Sequence, residues 1–408
     1  MAPTSHIYSI IHSLNVNSPD AELAQVIVAV QHDHADDENV VAALALALAS
    51  SGVTLNSECD LTADIASTGG PSSLSTLLCP LFLRAANTIV PKLGVPGRPA
   101  GGIDCLAQIP GYRCSLSGKE VQEILKTGGY AHFVAEGELA PLDGRMFRIR
   151  QALGAQAVPA LVAASLLAKK VAVGIKLAGL DVRVAPHGNF GTTWDSARRN
   201  SQLFCRSARL LGIRAFPVLT DARYPVQPFL GRKESLVALA AIFASSPSEW
   251  LVEHYRVCRS LSLACMPEAS RALVASANPT LLRKHFEQNL SDQGAGIAAF
   301  EELVQRTRGD HRVKLSAERA GFCHYPLKEL RDAIVACQKK FESSSSPFPD
   351  PVGLVFSERP GTWVNRGDPV ATLRVSGEAG GDVIDVIRRL VCFPAASLEG
   401  LGLESIYE

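Results

Sequence analysis

From Asp64 to Ala244 short apolar segments alternate with longer ones of helical periodicity, and this alternation is the strongest constraint on the fold. Thr88-Ile89-Val90, Asp181-Val182-Arg183-Val184 and Arg214 to Thr220 read as strands. Leu77 to Ala86, Val158 to Ala172, Ser196 to Leu211 and Glu234 to Ala244 read as helices. Strands separated by helix-length connections pair in parallel, because a tight turn cannot return the chain in the same direction. The pattern predicts an α/β region with a mixed, mainly parallel sheet. Ahead of it, Leu23, Val26, Ile27 and Val30 recur at helical spacing, and a second helical run from Val40 to Ala49 opens at Asp36-Asp37 and stops at Gly52. After it, Glu342 to Pro351 is a Ser/Pro-rich linker or exposed loop. It leads to strands at Gly353 to Phe356 and Pro369 to Val375, with a turn from Gly361 to Gly367. These strands predict a smaller C-terminal α+β unit.

A chain of 408 residues, 47% hydrophobic, has material for two or three domains. Lys plus Arg equals Asp plus Glu at 40 each, which argues against a dedicated nucleic-acid or membrane-surface protein. No segment reaches the length of about 18 uncharged apolar residues that a membrane helix needs. Residues Met1 to Asn17 lack the basic end and apolar centre of a secretory signal. The ten cysteines include no CxxC pair, so free thiols in a reducing cytoplasm and no metal site are expected.

Two constellations carry chemistry. The first is the loop Ser67-Thr68-Gly69-Gly70-Pro71-Ser72-Ser73-Leu74-Ser75-Thr76, ahead of an apolar helix. Small residues let backbone N–H groups and hydroxyls at a helix start cradle an anion, although a plain turn with capping duties gives the same composition. The second is Arg150 with Ser165 and Lys169, the last two sharing one face of an otherwise apolar helix at i,i+4 spacing. Buried there, they need partners. A pyrimidine edge, two carbonyls flanking an N–H, would supply them, while a Lys169 that snorkels to solvent beside Lys170 is the alternative.

Taken in order, these stretches resemble the pyrimidine-nucleoside and thymidine phosphorylase family. The resemblance runs through Asp64 to Thr76, Asp104-Cys105-Leu106 with Ile109-Pro110-Gly111, and Leu139-Ala140-Pro141-Leu142-Asp143. It continues through Arg150, Ser165 to Lys170, Asp181 to Val184 and Thr220-Asp221, and ends with Ala320-Gly321 and Gly353 to Ala371. It implies a small all-helical domain (residues 1–57 and 151–176) facing an α/β domain (58–150 and 177–330) across a cleft. A C-terminal α+β subdomain (331–408) follows. It also implies a pentosyltransferase, typically homodimeric, that cleaves a pyrimidine nucleoside with inorganic phosphate to give the base and a pentose 1-phosphate. Phosphate is then a co-substrate, and no other cofactor is expected. By position, Arg150, Ser165 and Lys169 would hold the base. Ser67, Thr68, Gly69, Ser75 and Thr76 would hold phosphate.

The chain departs from the family in its anion loop. The family's Asp-Lys-His-Ser-Thr-Gly-Gly has Ile65 and Ala66 here in place of Lys and His, which removes two cations and the expected proton donor. Each lost charge-assisted hydrogen bond weakens phosphate binding by roughly 1.5–3 kcal/mol. Arg98 is the candidate replacement for the charge, and His187 is the candidate general acid, acting with Arg150 and Lys169 as the catalytic set. Parts of the loop also resemble anthranilate phosphoribosyltransferase, and Pro99-Ala100-Gly101 resembles nucleoside-monophosphate phosphorylases. Another acceptor or donor (water, a second base, a nucleoside monophosphate or phosphoribosyl pyrophosphate) and a non-catalytic nucleoside-binding homologue are the alternatives.

Overall fold

The helical periodicity of residues 20–49 is realised as α2 (Asp20–Asp33) and α3 (Glu38–Ala49), preceded by α1 (Pro3–Ser13). Asp37 caps α3, its carboxylate accepting from the N–H groups of Asn39 and Val40. The computed structural model describes residues 3–55, 61–69, 71–97, 99, 101–134, 138–344, 346–376 and 380–395.

The α/β region follows as β1 (Ala63–Ser67), α4 (Ser75–Ala85), β2 (Val90–Gly94), α5 (Gly102–Leu106), α6 (Gly118–Thr127) and β3 (Tyr130–Val134). Next come α7 (Pro141–Ala152), α8 (Pro159–Ala172), β4 (Leu177–Val184), α9 (Trp194–Leu210) and β5 (Arg214–Asp221). Pro159 occupies the first turn of α8, where its missing N–H costs nothing. All pairings here are parallel: β1-β4-β5 form one sheet and β2-β3 a second, bridged at Thr62 and Ile89. The predicted mixed, mainly parallel α/β architecture is the observed one. All eight residues of β4 are buried, as befits the middle strand of a covered parallel sheet. α3 packs on both α7 and α8, and α9 joins α3 and α8 to the sheet edge at β5.

β1 and β4 approach closely at Gly179, the register partner of Ile65. A Cβ at Gly179 would lie 2.5 Å from Cγ1 of Ile65, whose side chain is buried in the core shared by α4, α10 and α11. Gly179→Ala overpacks this crossing and is expected to destabilise the chain by about 1–3 kcal/mol, read as a lower urea midpoint at unchanged slope.

Beyond β5 come β6 (Phe229–Leu230), α10 (Arg232–Phe243), α11 (Glu249–Cys265), α12 (Glu268–Ser276), α13 (Pro279–Asp292) and α14 (Ile297–Gly309). The sequence reading assigned only α10 of these five helices. The C-terminal unit comprises β7 (Arg312–Ser316), β8 (Gly321–Phe322), α15 (Leu327–Lys340), β9 (Val352–Phe356), β10 (Trp363–Val364), β11 (Pro369–Val375) and α16 (Gly380–Leu390). Its antiparallel sheet has the order β6-β9-β11-β7, so the segment after β5 supplies an edge strand to it. The buried guanidinium of Arg374 ties this sheet to α10, pairing with Glu234 through two nitrogens and with Asp350.

Two strand expectations are corrected. The strand placed at Thr88 to Val90 runs from Val90 to Gly94 instead, because β2 has a single ladder partner and its edge tolerates Pro91. The segment from Gly361 to Gly367, expected as a plain turn, contains β10, which pairs antiparallel with β8. Its two terminal glycines have φ of 82° and 95°, the turn geometry that places a short strand between them.

Candidate active site

The C-terminal end of β1 and the N-terminus of α4 are joined by the Ser/Gly loop, and the loop is stitched to β4. The Thr68 N–H donates to the Asp181 carbonyl at 3.0 Å, and Thr68 Oγ1 accepts from the Arg183 N–H at 2.9 Å. Ser75 Oγ donates to Asp181 Oδ2 at 2.9 Å, and Asp181 Oδ1 accepts from Thr220 Oγ1 at 2.7 Å. At the helix start the Leu74 N–H donates to His254 Nε2 at 2.8 Å. Gly69 takes φ of 121°, a conformation that suits only glycine.

Over this loop lie two neighbouring chambers, of about 460 and 200 Å³. Ser67, Thr68, Thr76, Gly101, Asn189 and Arg331 line both. The phosphate-side candidates Ser67, Thr68, Gly69, Ser75 and Thr76 all border the smaller chamber, and three of them reach the larger one as well. The Ser75 hydroxyl proton is already committed to Asp181, so Ser75 fixes the loop as much as it faces the cavity. Arg98 lies outside the described residues.

Arg150, Ser165 and Lys169 converge on the larger chamber, from α7 and α8. Lys169 Nζ donates to the carbonyl and to Oγ of Ser165, both at 3.0 Å, and to Asp143. The i,i+4 spacing therefore brings the hydroxyl and the ammonium together. Lys169 is 8% exposed and Lys170 4%, so neither snorkels. Arg150 Nε, Nη1 and Nη2 donate to the carbonyls of Ala155, Leu161 and Gln156 at 3.4, 3.2 and 2.8 Å. Its guanidinium thus clamps the α7–α8 turn while bordering the cavity, and burial lowers its pKa to about 10, against the pull of Asp143.

Of the expected catalytic set, Arg150 and Lys169 border the larger chamber, and His187 borders the smaller. His187 sits in the turn after β4, and burial pushes its pKa below the usual histidine value.

Several wall residues were not singled out from sequence. Lys92 Nζ, on β2, donates to Asp64 Oδ1 and to the Ile65 carbonyl, both at 2.7 Å. Lys170 Nζ donates to the other oxygen of Asp64. His132, on β3, is the register partner of Lys92, and its Nδ1 lies 3.1 Å from the Tyr130 hydroxyl. Arg183 is 3% exposed on the wall of the smaller chamber, and its Nε and Nη2 have no partner among the described residues. The signal for Lys92 and His132 was a lone polar residue on the inward alternation of a short apolar strand.

No protein-family profile matches the sequence. The chain is 22% identical over 378 residues to a curated pyrimidine-nucleoside phosphorylase of Staphylococcus epidermidis, covering 90% of this chain and 87% of that one. It is 23% identical over 389 residues to that of Staphylococcus aureus, covering 91% and 87%. Among solved structures it resembles anthranilate phosphoribosyltransferase from Thermus thermophilus, at 17% identity and TM-score 0.47 over 74% of this chain and 99% of that one. The Saccharomyces cerevisiae enzyme aligns at 11% identity and TM-score 0.48, over 74% and 91%.

Proposed function

We propose, from the premise that this chain is a divergent relative of the pyrimidine-nucleoside phosphorylases, that it is a pentosyltransferase which splits a pyrimidine nucleoside with phosphate. The observation that carries the reading is convergence. Ser67, Thr68 and Thr76 of the loop and the group Arg150, Ser165 and Lys169 are walls of one cavity, although about 75 to 100 residues separate them.

In this reading the base lies between α7 and α8. Ser165 Oγ accepts from Lys169, which leaves its own proton to donate to a base carbonyl. Lys169, held by Asp143, is a fixed positive charge next to the oxygen on which the departing base gathers negative charge. The pentose spans the cavity toward Ser67 and Thr76, where the phosphate oxygens accept from hydroxyls and backbone N–H groups. The base leaves through an oxocarbenium-like state, a phosphate oxygen bonds to the anomeric carbon, and the base takes up a proton. Holding both reactants in one cavity replaces an encounter in solution.

The purified chain is expected to release uracil from uridine, or thymine from thymidine, at a rate that rises with added phosphate and saturates. Chromatography of the free base reads this directly. An absence of base from every pyrimidine nucleoside, at every phosphate concentration, removes the reading. A second reading is favoured by Arg183: the smaller chamber takes a phosphate group carried by the nucleoside or by a phosphoribosyl donor. It predicts turnover of a nucleoside 5'-monophosphate, or of a base with phosphoribosyl pyrophosphate, in preference to free nucleoside.

A further inference from the structure

The wall around Asp64 carries more positive than negative charge. Lys92 and Lys170 both donate to this one carboxylate, and the three groups are 4%, 4% and 1% exposed. The adjacent Lys169 is already matched by Asp143. Two ammoniums and one carboxylate leave one unmatched positive charge bordering the larger chamber. Burial opposes ionisation of Asp64, yet the two ammoniums outweigh it and hold its carboxyl well below the usual carboxylate range. An unmatched charge in a buried wall is unfavourable until a counter-charge arrives.

His132 stands beside this charge. Its backbone N–H donates to Gln293 Oε1 at 2.8 Å, and its carbonyl accepts from Gln293 Nε2 at 2.9 Å, so the residue is fixed on both sides. The Tyr130 hydroxyl lies 3.1 Å from Nδ1, and in the tautomer in which that hydroxyl donates, Nε2 carries the ring proton. No described residue pairs with Nε2. The ring lies so close to Gly102 that a Cβ there would come within 2.5 Å of Cε1 and 3.0 Å of the Thr76 carbonyl. The imidazole therefore borders the stretch of cavity between Thr76 and Gly102.

We propose that Lys92 and His132 form the anion-binding wall of the cleft, with Lys92 supplying the unmatched charge and His132 Nε2–H a hydrogen bond to an oxygen of a phosphate group. The proposal deepens the phosphorolytic reading and rests on it for the role of the anion. It relocates the cation and the imidazole: the chain has Ile65 and Ala66 in the loop, and the two groups reach the same wall from β2 and β3. The phosphate group comes either from free orthophosphate or from a phosphorylated nucleoside, and the two are separable by titration.

The test uses the full chain and the variants Lys92→Met and His132→Phe. Calorimetric titrations are run with orthophosphate, uridine and uridine 5'-monophosphate. Lys92→Met leaves Asp64 and Lys170 as a neutral pair, so its thermal midpoint in phosphate-free buffer should equal or exceed that of the wild type. Its affinity for the phosphate-bearing ligand should fall by about 10- to 100-fold, and that of His132→Phe by about 3- to 10-fold, with uridine affinity unchanged. Loss confined to orthophosphate identifies the free anion as the ligand, and loss confined to the monophosphate identifies the ester. Either result supports the wall. Wild-type affinity in both variants, or no binding of either phosphate ligand to the wild type, overturns it. Phosphate binding without uridine binding or base release would instead fail the nucleoside reading and leave the wall standing.

Discussion

Under the proposed phosphorolytic reading, Lys169→Met is expected to lower kcat/KM for base release by about 10²- to 10³-fold, the usual cost of removing one donor aimed at developing negative charge. The same substitution strands Asp143, which is 6% exposed and has Lys169 as its ion-pair partner. Breaking a buried pair from one side costs roughly 3–5 kcal/mol of stability, so kinetics must be read beside urea unfolding at the same temperature. Lys169→Met combined with Asp143→Leu removes both charges and is expected to recover most of the stability while staying catalytically impaired. A double variant that regains both stability and wild-type kcat/KM would mean that Lys169 serves only the packing of α7 on α8. Ser165→Ala removes a hydroxyl and no charge, so its expected loss is smaller, about 3- to 10-fold.

The grouping of Ser165 with Lys169 was legible because helical geometry is local. Two polar residues four apart on an apolar helix meet at one level of its surface, whatever the rest of the fold does, and Ser165 and Lys169 do so. The loop at 67–76 was legible only in part, since small residues before an apolar helix serve a plain capping turn as well as an anion cradle. The parallel sheet followed from alternation of segment types, but the start of β2 did not. Thr88 and Ile89 have strand composition and make only a single bridge, while Pro91 sits inside the strand. The partners of Arg150 were beyond reach because they are backbone carbonyls of the α7–α8 turn, a matter of chain direction and not of side-chain type. Lys92, His132 and Arg183 each lie in a strand and meet residues that are distant in sequence. Only the pairing of β1 with β4 and of β2 with β3 places Lys92 and His132 on the larger chamber and Arg183 on the smaller.

Acidification from pH 7.5 to 5 is expected to destabilise the chain by about 2 kcal/mol through His254 alone, and His132 adds to this in the same direction. His132 and His254 are each 2% exposed. Burial pushes the pKa of His254 down to about 3, assisted by Arg183, and pushes that of His132 well below the usual value, assisted by Lys92. In the unfolded chain both titrate near 6.5. Below that pH the unfolded chain binds a proton at His254 that the folded chain refuses, and His132 acts in the same direction. The stabilisation from His254 is therefore complete above about pH 6.5 and is lost as pH falls, at about 1.4 kcal/mol per pH unit. Geometry gives the same direction for His254: its Nε2 accepts the Leu74 N–H at the start of α4, so a proton on that nitrogen would set two donors against each other. The Leu74 contact holds one end of the Ser/Gly loop, so protonation is also expected to loosen that loop. His254→Gln keeps an acceptor for Leu74 and removes the titration. Urea unfolding of wild type and variant from pH 7.5 to 5 should show the variant losing about 2 kcal/mol less, the share of one proton. Identical pH slopes for the two proteins would mean that His254 is protonated in the folded chain, and the Leu74 latch would then be the wrong account of this loop.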